Sequence, residues 1–564
     1  VDNMIGVDWA SPDDAPLAHI AQPRQTTPYR GDQCIPLSAA APLSGIDPVT
    51  DCRWFRFTLG TDPLAGLEIF RDGDGCLDTA MYAIPDGIHG IALRCIDPTD
   101  TSRSSLLTSK IKVDSTRWAG EISKSSETWS GTVVVDGDVI VPEGHTLTVA
   151  PGTVVRFAAS DRLQARQFLA GSDSIFYGTR DKVDLIVQGT LDVQGQAGNR
   201  VVFEASHGVP VASSWGSIVG WHRGQVNLSF VDLESANWAL WGAKITDEPQ
   251  YAPVFNVSDA RFEGLNSVVR EVCPLQFERV TASNLGEFMQ CSAYTDLVLR
   301  DVTVANSINF ATHATMFWTY PESVLAVLPA ALFERFTLTE PPQRSLYGLY
   351  FASRLDHVDV VDSLFSGQHV AIMLPGHLGV SGSEFRDFGF TALHVTSAPA
   401  SVTVSDSVFI RGDHVLYTQG SPVTTVISNS LVRDVTTPFE VSFGPLQVTG
   451  CQIENATRVL ESPDYGSCGT RRSSVNLTGN NFINPTEALV ALSWPDYYCG
   501  YDWETFVVDL QGSYLNGLTD QASIEALLID PRTDANPSDT LVGFINYGSA
   551  QASPLSLTLP TPRP

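Results

Sequence analysis

The feature that most constrains this chain is a short figure that recurs along its second half: an apolar residue, a polar corner, and another apolar residue five positions on. It appears in "VTVSDSVF" (Val402 to Phe409), and variants stand at "VVDSLF" (Val360 to Phe365), "VSGSEF" (Val380 to Phe385), "VISNSLV" (Val426 to Val432), "VTGCQI" (Val448 to Ile453) and "LTGNNF" (Leu477 to Phe482). Anchored on the first apolar residue, the series runs Val257, Leu275, Leu299, Phe333, Val360, Val380, Val404, Ile427, Val448, Leu477 and Leu510. Most gaps fall in the low twenties, the length of one circuit of three short strands with their turns, and the longer gaps read as loops inserted at a corner. A period of this kind, with no sustained helical pattern, marks a solenoid.

The columns of the repeat sharpen this. Two residues after the anchor lie Asp259, Asp301, Asp362, Gly382, Asp406, Asn429, Gly450, Gly479 and Gly512, the residue types that tolerate left-handed backbone. One position later comes a row of small polar side chains, Ser363, Ser383, Ser407, Ser430, Cys451, Asn480 and Ser513. Five after the anchor the row is apolar: Phe262, Val280, Val304, Leu338, Phe365, Phe385, Phe409, Val432, Ile453, Phe482 and Leu515. In a solenoid whose rungs hydrogen-bond about 4.8 Å apart, equivalent positions stand above one another, so each row becomes a ladder. The recurring figure is thus a strand, a tight corner and the start of the next strand.

The block "WSGTVVVDGDVIVPEGHTLTVAPGTVVRF", followed by "DLIVQGTLDVQGQAGNRVVFEAS" and "SWGSIVGW", resembles the opening rungs of secreted bacterial right-handed parallel β-helix proteins of the surface or structural type. The tail from "VVDLQGSYLNG" to "LVGFINY" resembles their closing segment, a turn leading to a short helix and a final strand. The expected fold is all-β: a right-handed parallel β-helix over residues 113–564, preceded by an N-terminal β domain with linker over residues 1–112. That architecture hosts adhesins, structural surface proteins, lyases and hydrolases alike, so it says little about activity.

The front region has a different texture, with many prolines, four cysteines and short alternating runs such as "CRWFRFTLG" and "GIHGIALRC" that read as strands. The segment "DPTDTSRSSLLTSK" reads as a polar linker. Of nine cysteines, eight fall in close pairs, Cys34 with Cys52, Cys76 with Cys95, Cys273 with Cys291 and Cys468 with Cys499. Local disulfide loops fit an oxidising compartment, although spacing does not fix connectivity. Cys451 is left over, in the small polar row.

A formal charge of −29, with no lysine after Lys244, opposes nucleic acid or anionic lipid as a partner, because phosphate binding needs concentrated Lys and Arg. The sequence begins at Val1 and holds no apolar run of about 18 residues that could span a bilayer. Both read as a processed, secreted form without membrane insertion.

Candidate chemistry is sparse. Carbohydrate-active enzymes of this fold set carboxylates on one exposed sheet face, and hydrolysis needs two of them at defined separations. The best patch is "RLDHVDVVD", with Asp356, His357 and Asp359, and with Asp362, Asp387, Asp406 and Asp413 a short way along. Turn shaping and solvated loops are the plainer roles for these residues. His369 and His414, two rungs apart and so about 10 Å distant, are too far apart to share a zinc ion. "RDGDGCLD", with Asp72, Asp74 and Asp78, resembles part of a calcium loop but lacks the further acidic positions and the closing Glu, and a plain acidic turn is the readier explanation. The tripeptide RGD occurs at Arg30 to Asp32 and at Arg411 to Asp413, too short a signal to carry recognition. Aromatic groups at Trp238 and Trp241, at Trp318 and Tyr320, and at Trp494, Tyr497, Tyr498, Tyr501 and Trp503 fall near long inserts, where they suit glycan binding or loop packing.

The reading that best joins these features is an extracellular structural or adhesive scaffold that associates with itself or with a cell-surface or glycan partner, without a cofactor unless calcium binds the front domain. A polysaccharide lyase or glycoside hydrolase, and a non-catalytic glycan-binding protein, are the rivals.

Overall fold

The computed structural model describes residues 19–22, 28–29, 37–40, 50–69, 87–100, 104–113, 117–122, 124–160, 181–206, 212–243, 252–272, 275–293, 296–307, 313–319, 328–339, 347–351, 355–374, 376–396, 400–418, 423–441, 444–462, 475–492, 507–529 and 544–563. The chain divides into two compact units, Val1–Ile245 and Thr246–Pro564.

The first unit opens with a five-stranded sheet in the order Pro28–Tyr29, Ser104–Val113, Gly87–Ile96, Cys52–Phe57, Leu67–Ile69. The second half of the segment expected to be a linker is instead strand: Ser104–Val113 pairs antiparallel with Gly87–Ile96 along its whole length. Its serines and lysines hid it, because a sheet face turned to solvent tolerates polar residues at every second position. Cys52 and Cys95 are register partners across neighbouring strands and form a disulfide, so the expected local pairs Cys34–Cys52 and Cys76–Cys95 are replaced by a link across 43 residues.

After Val113 the pairing turns parallel. Arg117–Glu121 pairs with Thr132–Val141, which pairs with Val154–Phe157 and with Leu185–Val187. The resemblance motifs stack as successive coils, with Leu147 beside Leu191 and Val155 beside Phe203. The N-terminal sheet docks on this part of the solenoid. Leu37, Trp54, Ile69, Ile91, Leu93 and Ile111 share one buried cluster with Ile140, Ile186, Val219, Trp221 and Trp241. Burial on that scale, at about 25 cal/mol per Å² of apolar surface, holds the antiparallel sheet to the parallel one.

The second unit is a parallel β-helix in which each strand pairs with its equivalent on the next coil, three places on in the strand order or two where strands of one coil run together. Val257 stands beside Phe277, then Leu299, Phe333, Val360, Val380, Val404, Ile427 and Val448. The expected anchor Leu275 is therefore displaced by two residues to Phe277, and in the second apolar row Ala282 replaces Val280. The remainder of that row is as read, and it is a physical stack: the rings of Phe365, Phe385 and Phe409 lie 5.2 and 5.0 Å apart, each pair tilted by 6°.

The corner row is left-handed throughout. Asp259, Arg279, Asp301, Arg335, Asp362, Asp406 and Asn429 have φ between 49° and 54°, and Gly382, Gly450, Gly479 and Gly512 lie between 58° and 69°. A side chain in this region costs about 1–2 kcal/mol, which Asp and Asn offset by local hydrogen bonds. Arginine does so across the rungs: Arg279 Nε and NH2 each donate to Asp259 at 2.8 Å, and Arg335 donates to Asp301 at 2.6 and 3.0 Å. A second left-handed corner, not read from the sequence, runs through Gly264, Asn284, Gly367, Asp387, Arg411, Asp434, Asn455, Asn484 and Asn516. Arg411 donates there to Asp387 at 2.6 and 3.0 Å.

The small polar row turns inward and forms a hydrogen-bonded ladder. The backbone N–H of Phe336 donates to Ser363 Oγ at 3.1 Å, Ser363 to Ser383, Ser383 to Ser407, and Ser407 to Ser430. Ser430 then donates to Cys451 Sγ, Cys451 to Asn480 Oδ1, and Asn480 to Ser513 Oγ. Each corner N–H, buried where no strand partner reaches it, is satisfied by the side chain of the following coil. On the earlier rungs Ala260, Val280, Val302 and Phe336 fill the same column with apolar volume.

The strand Tyr514–Leu515, a turn at Asn516 and Gly517, a short helix Gln521–Glu525 and the strands Leu528–Ile529 and Phe544–Asn546 follow. Asp520 caps the helix by accepting the Ser523 N–H at 2.9 Å.

Candidate functional site

The sequence-derived patch is assembled in part. His357 precedes the strand Val358–Val361, Asp356 adjoins it and Asp359 projects from that strand. Its imidazole lies between the carboxylates, with Nδ1 at 2.8 Å from Asp356 Oδ2 and Nε2 at 3.6 Å from Asp359 Oδ2. All three side chains are about half exposed. The register neighbour of Asp359 on the next rung is Gly379, which adds no side chain to the site. A Cβ placed there would come within 2.5 Å of Asp359 Oδ1, so the carboxylate leans over that glycine.

The other acids of the patch are engaged elsewhere. Asp362 and Asp406 shape the first corner, Asp387 is bound to Arg411 at the second, and Asp413 accepts the Thr436 hydroxyl at 3.2 Å. That arrangement also takes up the second RGD, whose arginine is bound to Asp387. His369 and His414 are separated by the Phe390 ring, with centroid distances of 5.7 and 5.2 Å. Among the described residues no group of three or more His, Cys, Asp and Glu side chains is arranged to hold a metal ion.

The sequence did not reveal one polar cluster of the second unit. On the strands Tyr347–Phe351, Val370–Leu374, Glu384–Val395, Val408–Thr418, Phe439–Val441 and Arg458–Ser462, the residues alternating with the inward row stack in register as Tyr350, Met373, His394, Tyr417, Glu440 and Glu461. The rings of His394 and Phe390 each lie 4.9 Å from that of Tyr417, and His414 lies 6.0 Å away. His414 Nε2 is 2.7 Å from Glu440 Oε2, and its Nδ1 is 3.2 Å from the Phe390 carbonyl oxygen. Both of those oxygens are acceptors, so both ring nitrogens must donate, which is the bonding of an imidazolium. Burial works against this charge, but the Glu440 hydrogen bond and charge outweigh it and raise the His414 pKa.

His394 has the opposite environment. Burial lowers its pKa to about 4, and its buried Nε2 has no hydrogen-bond partner. One face therefore holds two histidines with opposite pKa shifts on either side of Tyr417, the kind of divergence that acid–base chemistry uses. The cluster is closed, however, with Tyr417 8% and Glu440 9% exposed. As it stands it can hold a proton more readily than it can admit a polymer.

Trp238 and Trp241 lie in the strand Ala236–Ala243 and pack on each other at 4.9 Å. Trp241 is fully buried, and both belong to the cluster beneath the N-terminal sheet rather than to an exposed platform. Asp72, Asp74 and Asp78, the first RGD, Tyr320, the side chain of Trp318 and the aromatic run from Trp494 to Trp503 lie outside the described residues.

No helix among the described residues is long and apolar enough to cross a membrane. Comparison with known proteins finds no matching family model, no matching curated protein and no matching solved structure.

Proposed function

We propose that this protein is an extracellular scaffold, a β-helix whose task is to hold a fixed surface for adhesion or for association with copies of itself. The observation that carries this reading is where the charges of the coils go. Asp259 with Arg279, Asp301 with Arg335 and Asp387 with Arg411 pair across rungs at the corners. The buried polar side chains from Ser363 to Ser513 are likewise committed to backbone groups. Residues spent in this way fix shape and are withheld from a substrate. The disulfide between Cys52 and Cys95 supports an oxidising compartment. The test is the state of the protein isolated directly from its source, followed by sedimentation velocity and negative-stain microscopy. Free, unattached monomer at every concentration would reject the proposal.

A second reading, a polysaccharide-degrading enzyme, is favoured by one observation, the placement of His357 between Asp356 and Asp359. Incubation with a panel of polysaccharides, assayed for new reducing ends and for unsaturated products, tests it. Activity lost in Asp359→Ala and in His357→Ala would establish this reading, and no product from any polymer would remove it.

A further inference from the structure

On the strands that follow the first left-handed corner, one outward row is unusual. Glu384, Val408, Leu431, Gln452, Asn481 and Tyr514 stand in register on successive coils. They alternate with the inward Phe385, Phe409, Val432, Ile453, Phe482 and Leu515, so their side chains leave the core. Yet Val408, Leu431 and the neighbouring Ile410 are only 3%, 4% and 6% exposed and form an apolar cluster of their own. Glu384 and Asn481 are each 1% exposed.

An extended segment of the same chain accounts for this. Gln551 pairs with Tyr514 and donates its N–H to Ser513 O at 2.9 Å. Four residues on, the Asn481 side-chain amide reads both backbone groups of Leu555, accepting its N–H at 2.7 Å and donating to its carbonyl at 3.0 Å. At the far end Glu384 accepts the Arg563 N–H at 2.6 Å, Arg386 donates to the Arg563 carbonyl, and the Arg563 guanidinium reaches Gly382 O at 3.2 Å. From the Asn481 rung to the Glu384 rung is four steps, about 19 Å at ladder spacing, which the nine residues from Leu555 to Arg563 cover in extended form.

The segment's sequence suits that path. Leu555, Leu557 and Leu559 alternate in "PLSLTLPTPRP" and are half-buried, while Pro560 and Pro562 have no N–H to leave unpaired. Backbone contacts at both ends, an apolar strip between them and a carboxylate beside an arginine together make a peptide-binding face, read as extended-peptide sites generally are.

We propose that this face is a docking site for residues 551–563 of a second copy of the chain, which exchange with the segment bound in cis. Every copy carries both the face and a segment that fits it, and the contacts made in cis are available unchanged in trans, the condition for exchange of an identical element. The link is an exposed bend, with Ser549 in the left-handed region at φ 60°. This inference rests on the scaffold reading for its purpose and supplies that reading with a contact surface.

The test uses the full chain and a fluorescent synthetic peptide of residues 551–563. A Leu557→Asp chain, whose own segment docks poorly, is expected to bind the peptide at least tenfold more tightly than the unaltered chain does. Adding Leu431→Asp should abolish that binding, and adding Glu384→Gln, which leaves the apolar strip intact, should weaken it severalfold. Circular dichroism of each variant checks that the fold is kept. Two differently tagged populations of the unaltered chain, mixed and sedimented together, should form mixed pairs that excess peptide dissolves. Failure of the peptide to bind the Leu557→Asp chain, or binding indifferent to Leu431→Asp, would overturn the site. Peptide binding without mixed pairs would overturn the exchange. Assembly that the peptide does not touch would leave the scaffold reading standing and remove this one.

Discussion

The Sγ of Cys451 accepts the backbone N–H of Ser430 at 3.4 Å, a place that hydroxyl oxygens fill on the four preceding links of the same ladder. The free cysteine is thus a serine substitute on the inside of a corner. Cys451→Ser is expected to leave the urea midpoint unchanged or slightly higher. Cys451→Val orphans a buried N–H and should cost about 1–3 kcal/mol. Equal losses in the two variants would show that volume, not hydrogen bonding, sets the position. Burial also pushes the thiol's pKa up to about 12, so thiol reagents should label Cys451 only after unfolding, as peptide mass spectrometry would record.

Phe385 is held between two parallel rings on neighbouring coils. Phe385→Ala removes both contacts and leaves a cavity in a column that cannot close without breaking register, so a loss of about 3–5 kcal/mol is expected. Chemical denaturation measures it, and a loss under about 1 kcal/mol would show that the stack does not bear on stability.

Gly382 stands in the left-handed corner at φ 58°, where a Cβ would approach Asp362 Oδ1 to 2.3 Å. Gly382→Ala should cost about 1–2 kcal/mol. Because part of that cost is crowding by the rung before, Asp362→Gly in the same background should recover some of it. Strict additivity of the two changes would contradict the contact.

The pH dependence follows from the two histidines. His394 has a folded pKa lowered from 6.5 to about 4, so between these values the unfolded chain takes up a proton that the folded protein refuses. Its contribution is complete above pH 6.5 and is lost as the pH falls toward 4, by roughly 3 kcal/mol in all. His394→Phe should flatten this acid slope, and an unchanged slope would place its origin elsewhere. His414 has the reverse sign: its raised pKa means that the pair with Glu440 stabilises fully at low pH and loses its contribution as pH rises through that pKa.

Intact-protein peptide mapping without reduction should recover Cys52 and Cys95 in one linked species. Replacing both by serine should lower stability by about 2–5 kcal/mol. A linked Cys34–Cys52 or Cys76–Cys95 species would contradict the cross-strand pairing.

Much of the helix was readable because its columns are written in residue types with a physical reason to recur. Phe365, Phe385 and Phe409 are apolar because they face the core, and Asp362, Asp406 and Asn429 tolerate the left-handed corner. The reading slipped at Leu275, since Arg279 holds the corner on that rung and arginine does not advertise such backbone. It missed His394, Tyr417 and Glu440, which follow their anchors by 14, 13 and 13 residues. Their meaning appears only once the coils are stacked, because nothing in their types marks a turn or a core. The Asp356–His357–Asp359 contact was visible as a local cluster, whereas Asn481 and Glu384 meet partners 74 and 179 residues away. No local pattern encodes contacts of that range.

Because the links from Ser363 through Ser430 all join a serine hydroxyl to the preceding corner amide, the coils between them are interchangeable units. Duplicating or excising one whole circuit there would still present each donor with an equivalent acceptor, so the chain can be lengthened or shortened in quanta of a single turn. A partial circuit would misalign every column below the change.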